Sequence, residues 1–217
     1  MSIKVLVADD HTMVREGLRS LLNAKPDIEV VAEADNGRRA LELVHEVMPD
    51  VVIMDVTMPD VNGIETTHQL SAEFPDVKVI ALSMHADHRL VAGMLDAGAS
   101  GYLLKDCAFE ELENAIRTVV ANQTYLSPKI TRDIIEYHVR KSPLTQSSAF
   151  SVLTAKERQI LQLLAEGKNT KQMAACFNIS IKTVEAHRKH IMKKLNIHTI
   201  SGLTKYAVRE GLTNIED

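Results

Sequence analysis

Apolar residues in this chain recur in two rhythms. From residue 1 to about 121, short apolar runs alternate with stretches in which apolar side chains return every three or four positions. Ile3 to Ala8, Glu29 to Ala34, Val51 to Met54, Val77 to Ser83 and Gly101 to Leu104 read as strands. Val14, Leu18, Leu21 and Leu22 trace one face of the helix after the first strand, and further helices cover Arg38 to Val47, Ile64 to Phe74, His88 to Ala97 and Phe109 to Ala121. Pro26-Asp27, Asn36-Gly37, Met48-Pro49-Asp50 and Phe74-Pro75-Asp76 punctuate the junctions. Five successive strand–helix units predict an α/β domain: a doubly wound, five-stranded parallel sheet with helices on both faces, because right-handed crossovers must return over the sheet.

The second rhythm is wholly helical. Ser127-Pro128 has the form of an N-cap followed by a proline in the first helical position, predicting one more helix over 128–140. The polar, Ser-rich run Arg140 to Ser148 then has linker composition, so 122–151 is read as the joint between a domain at 1–121 and another at 152–217. In the latter, Thr154-x-x-Glu157 is a capping box ahead of Ile160, Leu161 and Leu164, and Gly167 suits the end of that helix. Asn169-x-x-Gln172 opens a short second helix, Ser180 caps a third that stops at Asn196, and Thr199 opens a fourth running to about Glu210. An all-α domain of four helices follows, and the tight Asn178-Ile179-Ser180 joint has helix-turn-helix spacing.

Charge sharpens the division. The formal net charge of -4 hides 14 Lys+Arg against 23 Asp+Glu in residues 1–151, a balance of -9, and 11 against 6 in 152–217, a balance of +5. An acidic domain joined to a basic one implies different partners, with nucleic acid the natural partner of the second. No apolar run approaches the ~18 residues of a membrane span, and the amino terminus enters a strand without a signal-peptide layout, so the expected location is the cytoplasm. Cys107 and Cys176 lie far apart without metal spacing and read as reduced residues.

The predicted strand ends carry the candidate chemistry. Strand one ends in Asp9-Asp10, strand three in Asp55, strand four in Ser83 and strand five in Lys105. In a doubly wound sheet these ends open on one edge, where such folds place ligands. Asp55 alone fits a turn cap as well as a functional group; its company decides the matter. Crowded carboxylates repel unless a hard cation sits among them, and oxygen ligands without His or Cys suit Mg²⁺. Lys105 supplies a charge able to pair with a phosphoryl oxygen and Ser83 a hydroxyl, leaving Asp55 as the candidate nucleophile for an acyl phosphate.

On the helix from 181 to 195, Val184, His187, Ile191 and Leu195 fall on one face and are expected to pack inward. The opposite stripe is Lys182, Glu185, Ala186, Lys189 and Lys193, with Thr183, Arg188 and Lys194 at its margins. A cationic outer stripe on the second helix of a helix-turn-helix fits insertion in the major groove of duplex DNA. His11, His85, His88, His190 and His198 show no defensible metal spacing, and His187 reads as a packed residue.

Asp9-Asp10-His11, Asp55 with Met58-Pro59, Ser83 and Tyr102-Leu103-Leu104-Lys105 resemble the flavodoxin-like receiver domain of bacterial two-component response regulators. Leu153-Thr154-Ala155-Lys156-Glu157-Arg158, Gly167 and Ile181 to His187 resemble the LuxR-type helix-turn-helix of the NarL/FixJ family. The resemblance implies that Asp55 accepts a phosphoryl group from a sensor histidine kinase, while Asp9, Asp10, Asp55 and the Thr57 carbonyl hold Mg²⁺. Ser83 and Tyr102 would form a switch pair, the hydroxyl moving to the phosphoryl group and the ring following inward. Glu185, Ala186 and Lys189 would face bases, Lys182, Thr183, Arg188 and Lys193 would lie near phosphates, and Leu203, Tyr206 and Ala207 would supply a homodimer contact. Where many receivers have Lys-Pro this chain has Lys105-Asp106. The implied protein is a DNA-binding transcription regulator, released and dimerised by phosphorylation, whose only catalysis is its own phosphorylation and dephosphorylation.

Two other functions use some of the same features. An aspartyl-phosphate phosphatase also needs a strand-end Asp, Mg²⁺ and a Lys, but its DxD motif and substrate cap are not found. A phosphorylation-independent DNA-binding or scaffold protein would carry the acidic pocket without using it.

Overall fold

A computed structural model describes residues 2–84, 86–106, 108–132 and 149–213. The chain divides into two compact units, Met1–Leu144 and Thr145–Asp217. Unit one alternates β1 (Ile3–Ala8), α1 (Thr12–Asn23), β2 (Ile28–Ala34), α2 (Gly37–Val47), β3 (Val51–Asp55), α3 (Gly63–Glu73), β4 (Lys78–Ser83), α4 (His88–Asp96), β5 (Gly101–Leu104) and α5 (Ala108–Val120). The predicted order of elements is realised, with ends shifted by one or two residues.

All strand pairs are parallel, in the order β2-β1-β3-β4-β5-β6, where β6 is Tyr125–Leu126, so β3 lies at the centre and every residue from Val51 to Asp55 is buried. Side chains alternate between faces along each strand. Val5, Val7, Ile53, Ile80, Leu82 and Leu103 meet Leu18 and Leu22 of α1 and Leu112, Ala115, Ile116 and Val119 of α5 in one core cluster. Asp9, Asp55 and Lys105 each stand two positions beyond a member of that cluster, Val7, Ile53 and Leu103. The same two-residue period that builds the core therefore points all three to the same side of the sheet at its carboxyl edge. Ser83 and Tyr102 have the opposite parity.

The sixth strand, β6 (Tyr125–Leu126), is the departure from the five strands expected. It adds in parallel beside β5, with Gly101 opposite Tyr125 and Tyr102 opposite Leu126. Two residues are too few to show a two-residue period, so sequence alone merged them with the linker 122–151. Residues 128–132 then begin a helix, as Ser127-Pro128 predicts, and the remainder of the expected helix to 140 lies outside the described residues.

Unit two consists of α6 (Ala149–Val152), α7 (Ala155–Ala165), α8 (Thr170–Cys176), α9 (Ile181–Leu195) and α10 (Ile200–Arg209). The single turn α6 adds to the four helices read from sequence; Ala149 is buried and its amide donates to Glu210 Oε2 at 3.0 Å. The caps match their sequence signals. Thr154 and Glu157 form a reciprocal box on α7, Asn169 and Gln172 another on α8, and the Ser180 side chain accepts the Thr183 amide at the start of α9. Gly167, Asn178 and Asn196 hold positive φ of 79°, 52° and 53° after α7, α8 and α9, the left-handed conformation that ends a helix at low cost for Gly and Asn. Ile160, Leu161, Leu164, Met173, Val184, Ile191, Leu203, Tyr206 and Ala207 share one core. Among the described residues, no helix is long and apolar enough to cross a membrane.

Candidate functional site

The carboxyl edge of the sheet assembles a buried charged pocket. Lys105 Nζ lies 2.8 Å from Asp55 Oδ2 and 2.7 Å from Asp9 Oδ2, with all three side chains at most 8% exposed. A buried cation between two buried carboxylates offsets their desolvation, which neither acid could bear alone. The balance is incomplete at Asp55: burial pushes its carboxyl up to about 7, opposed by Lys105 and reinforced by the charge of Asp9. Burial acts to lower the Lys105 ammonium, but Asp55 and Asp9 outweigh it and hold the group above its usual value.

Local backbone fixes Asp55. The Thr57 amide donates to Asp55 Oδ1 at 3.2 Å, and the Val56 amide reaches the Leu82 carbonyl at 2.9 Å. The next helix starts at Gly63, with Asn62 capping the Glu65 amide at 2.9 Å. Gly63 is required there, because a Cβ at that position would fall 2.0 Å from the Asp55 carbonyl oxygen.

Asp9, Asp10, His11 and Asp55 offer ligand atoms that all lie within 4.8 Å of one another. Asp9 Oδ2 pairs with Lys105 Nζ at 2.7 Å, and Asp10 Oδ1 lies 2.8 Å from the His11 imidazole Nδ1. Three carboxylates gathered around one point fit a hard divalent cation. His11, set aside on sequence spacing, belongs to the rim: its Nδ1 approaches Asp10 Oδ1 at 2.8 Å and Asp9 Oδ1 at 3.2 Å. Burial depresses its imidazole, but Asp10 and Asp9 raise it more, leaving it above the usual value.

Ser83 and Tyr102 meet on the other side of the sheet. The Tyr102 ring is fully buried, so it already has the inward position that the resemblance assigns to the switched state. Burial pushes its hydroxyl up to about 12, against a hydrogen bond with the Ser83 side chain, and the negative charge of Asp55 adds to the rise. The Lys105 amide donates to the Ser83 carbonyl at 2.8 Å, tying the two halves of the pocket together. Among the described residues no peptide bond is cis, so Lys105-Asp106 is trans.

In unit two, Lys182, Thr183, Glu185, Ala186, Lys189 and Lys193 are all exposed on α9, opposite buried Val184 and Ile191. His187 and Leu195 are half-buried. Arg188, expected near phosphates, is half-buried too, and its Nη1 donates to Thr170 Oγ1 of α8 at 3.1 Å. It links the two helices of the helix-turn-helix. Lys194 pairs with Glu157 Oε2 at 2.6 Å, and Glu157, 4% exposed, also accepts the Thr154 amide and hydroxyl. The capping-box glutamate therefore holds the end of α9 as well as the start of α7, a long-range role that no local pattern signals. Leu203, Tyr206 and Ala207 do not offer a dimer contact: they are 1, 8 and 0% exposed within their own unit's core. The outer side of α10 carries Ile200, Ser201 and Lys205. Periodicity identified the apolar stripe correctly, but one such stripe serves only one neighbour.

Comparison with known proteins covers both units. A model described as the response regulator receiver domain matches residues 5–117, and one for bacterial regulatory proteins of the luxR family matches 151–207. Oxygen regulatory protein NreC of Staphylococcus epidermidis is 39% identical over 215 residues, 97% of this chain and 99% of that protein. RcsB response regulator of Salmonella typhimurium aligns over 96% of this chain and 98% of its own, at 26% identity and a TM-score of 0.66. A structure of the RcsB–DNA complex aligns over 95% and 98%, at 26% identity and a TM-score of 0.60.

Proposed function

Because the chain belongs to the response regulators that join a receiver domain to a LuxR-family DNA-binding domain, we propose that Asp55 accepts a phosphoryl group from a sensor histidine kinase and thereby governs DNA binding. The observation that carries this reading is the enclosure of Asp55 between Lys105 and the acidic ring of Asp9 and Asp10.

An Asp55 carboxylate oxygen attacks the phosphorus of a phosphohistidine. The P–N bond breaks, the leaving imidazole keeps the electron pair and takes a proton, and a new P–O bond leaves an acyl phosphate on Asp55. Lys105, already 2.8 Å from the attacking carboxylate, then pairs with a phosphoryl oxygen. Ser83 donates its hydroxyl to another and gives up Tyr102. Asp9, Asp10 and Asp55, with the Thr57 carbonyl, are the residues that would hold Mg²⁺, whose charge neutralises the transferred group. Water later hydrolyses the acyl phosphate, so the chain's only catalysis is on itself.

In the second domain Lys182, Thr183 and Lys193 contact the backbone of duplex DNA, while Glu185, Ala186 and Lys189 face base edges. The likeness to RcsB, described bound to DNA, supports this side of the reading. Phosphorylation releases the domain and pairs two copies in the cytoplasm. Any contact through α10 falls to its outer residues Ile200, Ser201 and Lys205.

The test is DNA affinity of the full chain with and without a small acyl-phosphate donor and Mg²⁺, with the genomic fragments it retains as probe. Wild type should tighten on phosphorylation and Asp55→Asn should not. Equal affinity in both states of wild type would contradict the regulatory half of the reading.

A further inference from the structure

We propose that β6 (Tyr125–Leu126) is the output strand of the phosphoacceptor pocket: a two-residue latch on β5 that loosens when Asp55 is phosphorylated. This inference rests on the phosphorylation reading above.

The connection to the pocket is short and continuous. Asp55 stands opposite Leu82 on β4, and Ser83 follows Leu82. The Ser83 side chain hydrogen-bonds the Tyr102 hydroxyl, and Ser83's carbonyl accepts the Lys105 amide. Tyr102 is thus held at its tip by Ser83. At its backbone it holds β6: its carbonyl accepts the Ser127 amide at 3.1 Å, directly opposite Leu126. One residue serves both the pocket and the exit of the chain.

The latch itself is weakly built. Beyond the two-residue ladder itself, its main-chain bonds are Tyr125 amide to Ser100 carbonyl and Ser127 amide to Tyr102 carbonyl, both 3.1 Å. A side-chain tie runs from the Tyr125 hydroxyl to Glu111 Oε2 of α5, also 3.1 Å, with the half-buried Tyr125 ring packed on the main core. Ser127 is fully buried, yet its Oγ finds no hydrogen-bond partner. A buried orphan hydroxyl is costly, so the closed latch holds a penalty that opening relieves. A strand of two residues at a sheet edge sits at the low-stability end of the fold, where local opening is easiest.

Position gives the latch its consequence. The carbonyl of Ser127 accepts both the Thr131 amide and the Thr131 hydroxyl, at 2.9 and 3.1 Å, so the same residue that docks on Tyr102 starts the helix leading out of the receiver. When Ser83 turns to the phosphoryl group, Tyr102 loses its tip partner and β5 can shift at the one residue that supports Ser127. Loosening there frees the start of the segment connecting to the DNA-binding domain.

The experiment is amide hydrogen exchange, read by NMR on the full chain, with acetyl phosphate and Mg²⁺ as phosphorylating probe. In wild type the Tyr125 and Ser127 amides should exchange at least ~10-fold faster after phosphorylation, while Val52 and Ile53 in the central strand do not change. Asp55→Asn should show no change, and Tyr125→Phe, which removes the tie to Glu111 but keeps the ring, should exchange faster before any donor is added. Phosphorylated wild type with unchanged or slower exchange at Tyr125 and Ser127 would overturn the latch. Absence of any phosphoryl group on Asp55 would instead overturn the reading on which it rests, and intact mass distinguishes the two.

Discussion

Lys105 and Asp55 are 50 residues apart in sequence and 2.8 Å apart in space, in a pocket where both side chains are nearly inaccessible. Lys105 is the fixed positive charge against which the reactivity of Asp55 is set. Replacing it by Met keeps the stem and removes the charge, leaving two buried carboxylates uncompensated. Lys105→Met should slow phosphorylation from acetyl phosphate by ~10²-fold, the usual scale for losing one preorganised charge donor. Stopped-flow or quench measurements of phosphoprotein formation check the rate, and NMR titration should show the Asp55 carboxyl rising further above about 7.

Asp55 also makes stability depend on pH. Its carboxyl titrates at about 7 in the folded chain against an ordinary value of 3.8. A carboxyl raised by folding favours the folded state where it is protonated; that contribution is complete below the ordinary value and is lost as pH rises through about 7. Relative to Asp55→Asn, wild type should therefore lose stability, on the order of a few kcal/mol, between about pH 4 and about pH 8 in metal-free buffer. Urea unfolding of both chains across that window measures it. Millimolar Mg²⁺ should restore wild type and leave the Asn variant unmoved.

Glu157 ties α7 to α9 through Thr154 and Lys194. Glu157→Gln should lower the unfolding free energy of the helical domain by ~1–2 kcal/mol, the scale of a lost cap and a partly exposed ion pair. Burial raises this carboxyl, but its donors from Lys194 and Thr154 outweigh that and hold it below its usual value. A depressed carboxyl stabilises above its unfolded pKa and loses that contribution as pH falls, so the variant and wild type should converge in acid. Thermal unfolding at neutral and acidic pH checks both points.

Arg188 and Lys193, both basic and both on α9, should behave differently. Lys193 is exposed, so Lys193→Ala should weaken binding to all duplexes and reduce the salt slope of log affinity by about one unit. Arg188 donates to Thr170, so Arg188→Ala should instead lower the domain's melting temperature, with a smaller change in salt slope. Salt titrations of fluorescence anisotropy on one duplex, alongside thermal unfolding, separate the two roles.

The elements and the pocket were legible because both follow local rules. Buried parallel strands give continuous apolar runs, and Asp9, Asp55 and Lys105 extend the same two-residue parity that builds the core. Caps at Thr154, Asn169 and Ser180 were equally local. Features set by distant partners were not legible: Arg188 looks like a phosphate contact until Thr170 is brought beside it, and nothing local ties Lys194 to Glu157. The inward stripe of α10 was recognisable as a contact surface, but periodicity does not say whose. Tyr125–Leu126 formed a strand only because β5 offered an open edge, which two residues cannot announce.

The claim on which the rest depends is that Asp55 is the phosphoacceptor. Intact mass spectrometry of the full chain after incubation with acetyl phosphate and Mg²⁺ tests it most directly, with the modified residue located by borohydride reduction and peptide mapping. One added phosphoryl group, mapped to Asp55 in wild type and missing from Asp55→Asn, is the predicted result. A phosphoryl group retained by Asp55→Asn, or none on folded wild type with Mg²⁺ present, would contradict the account.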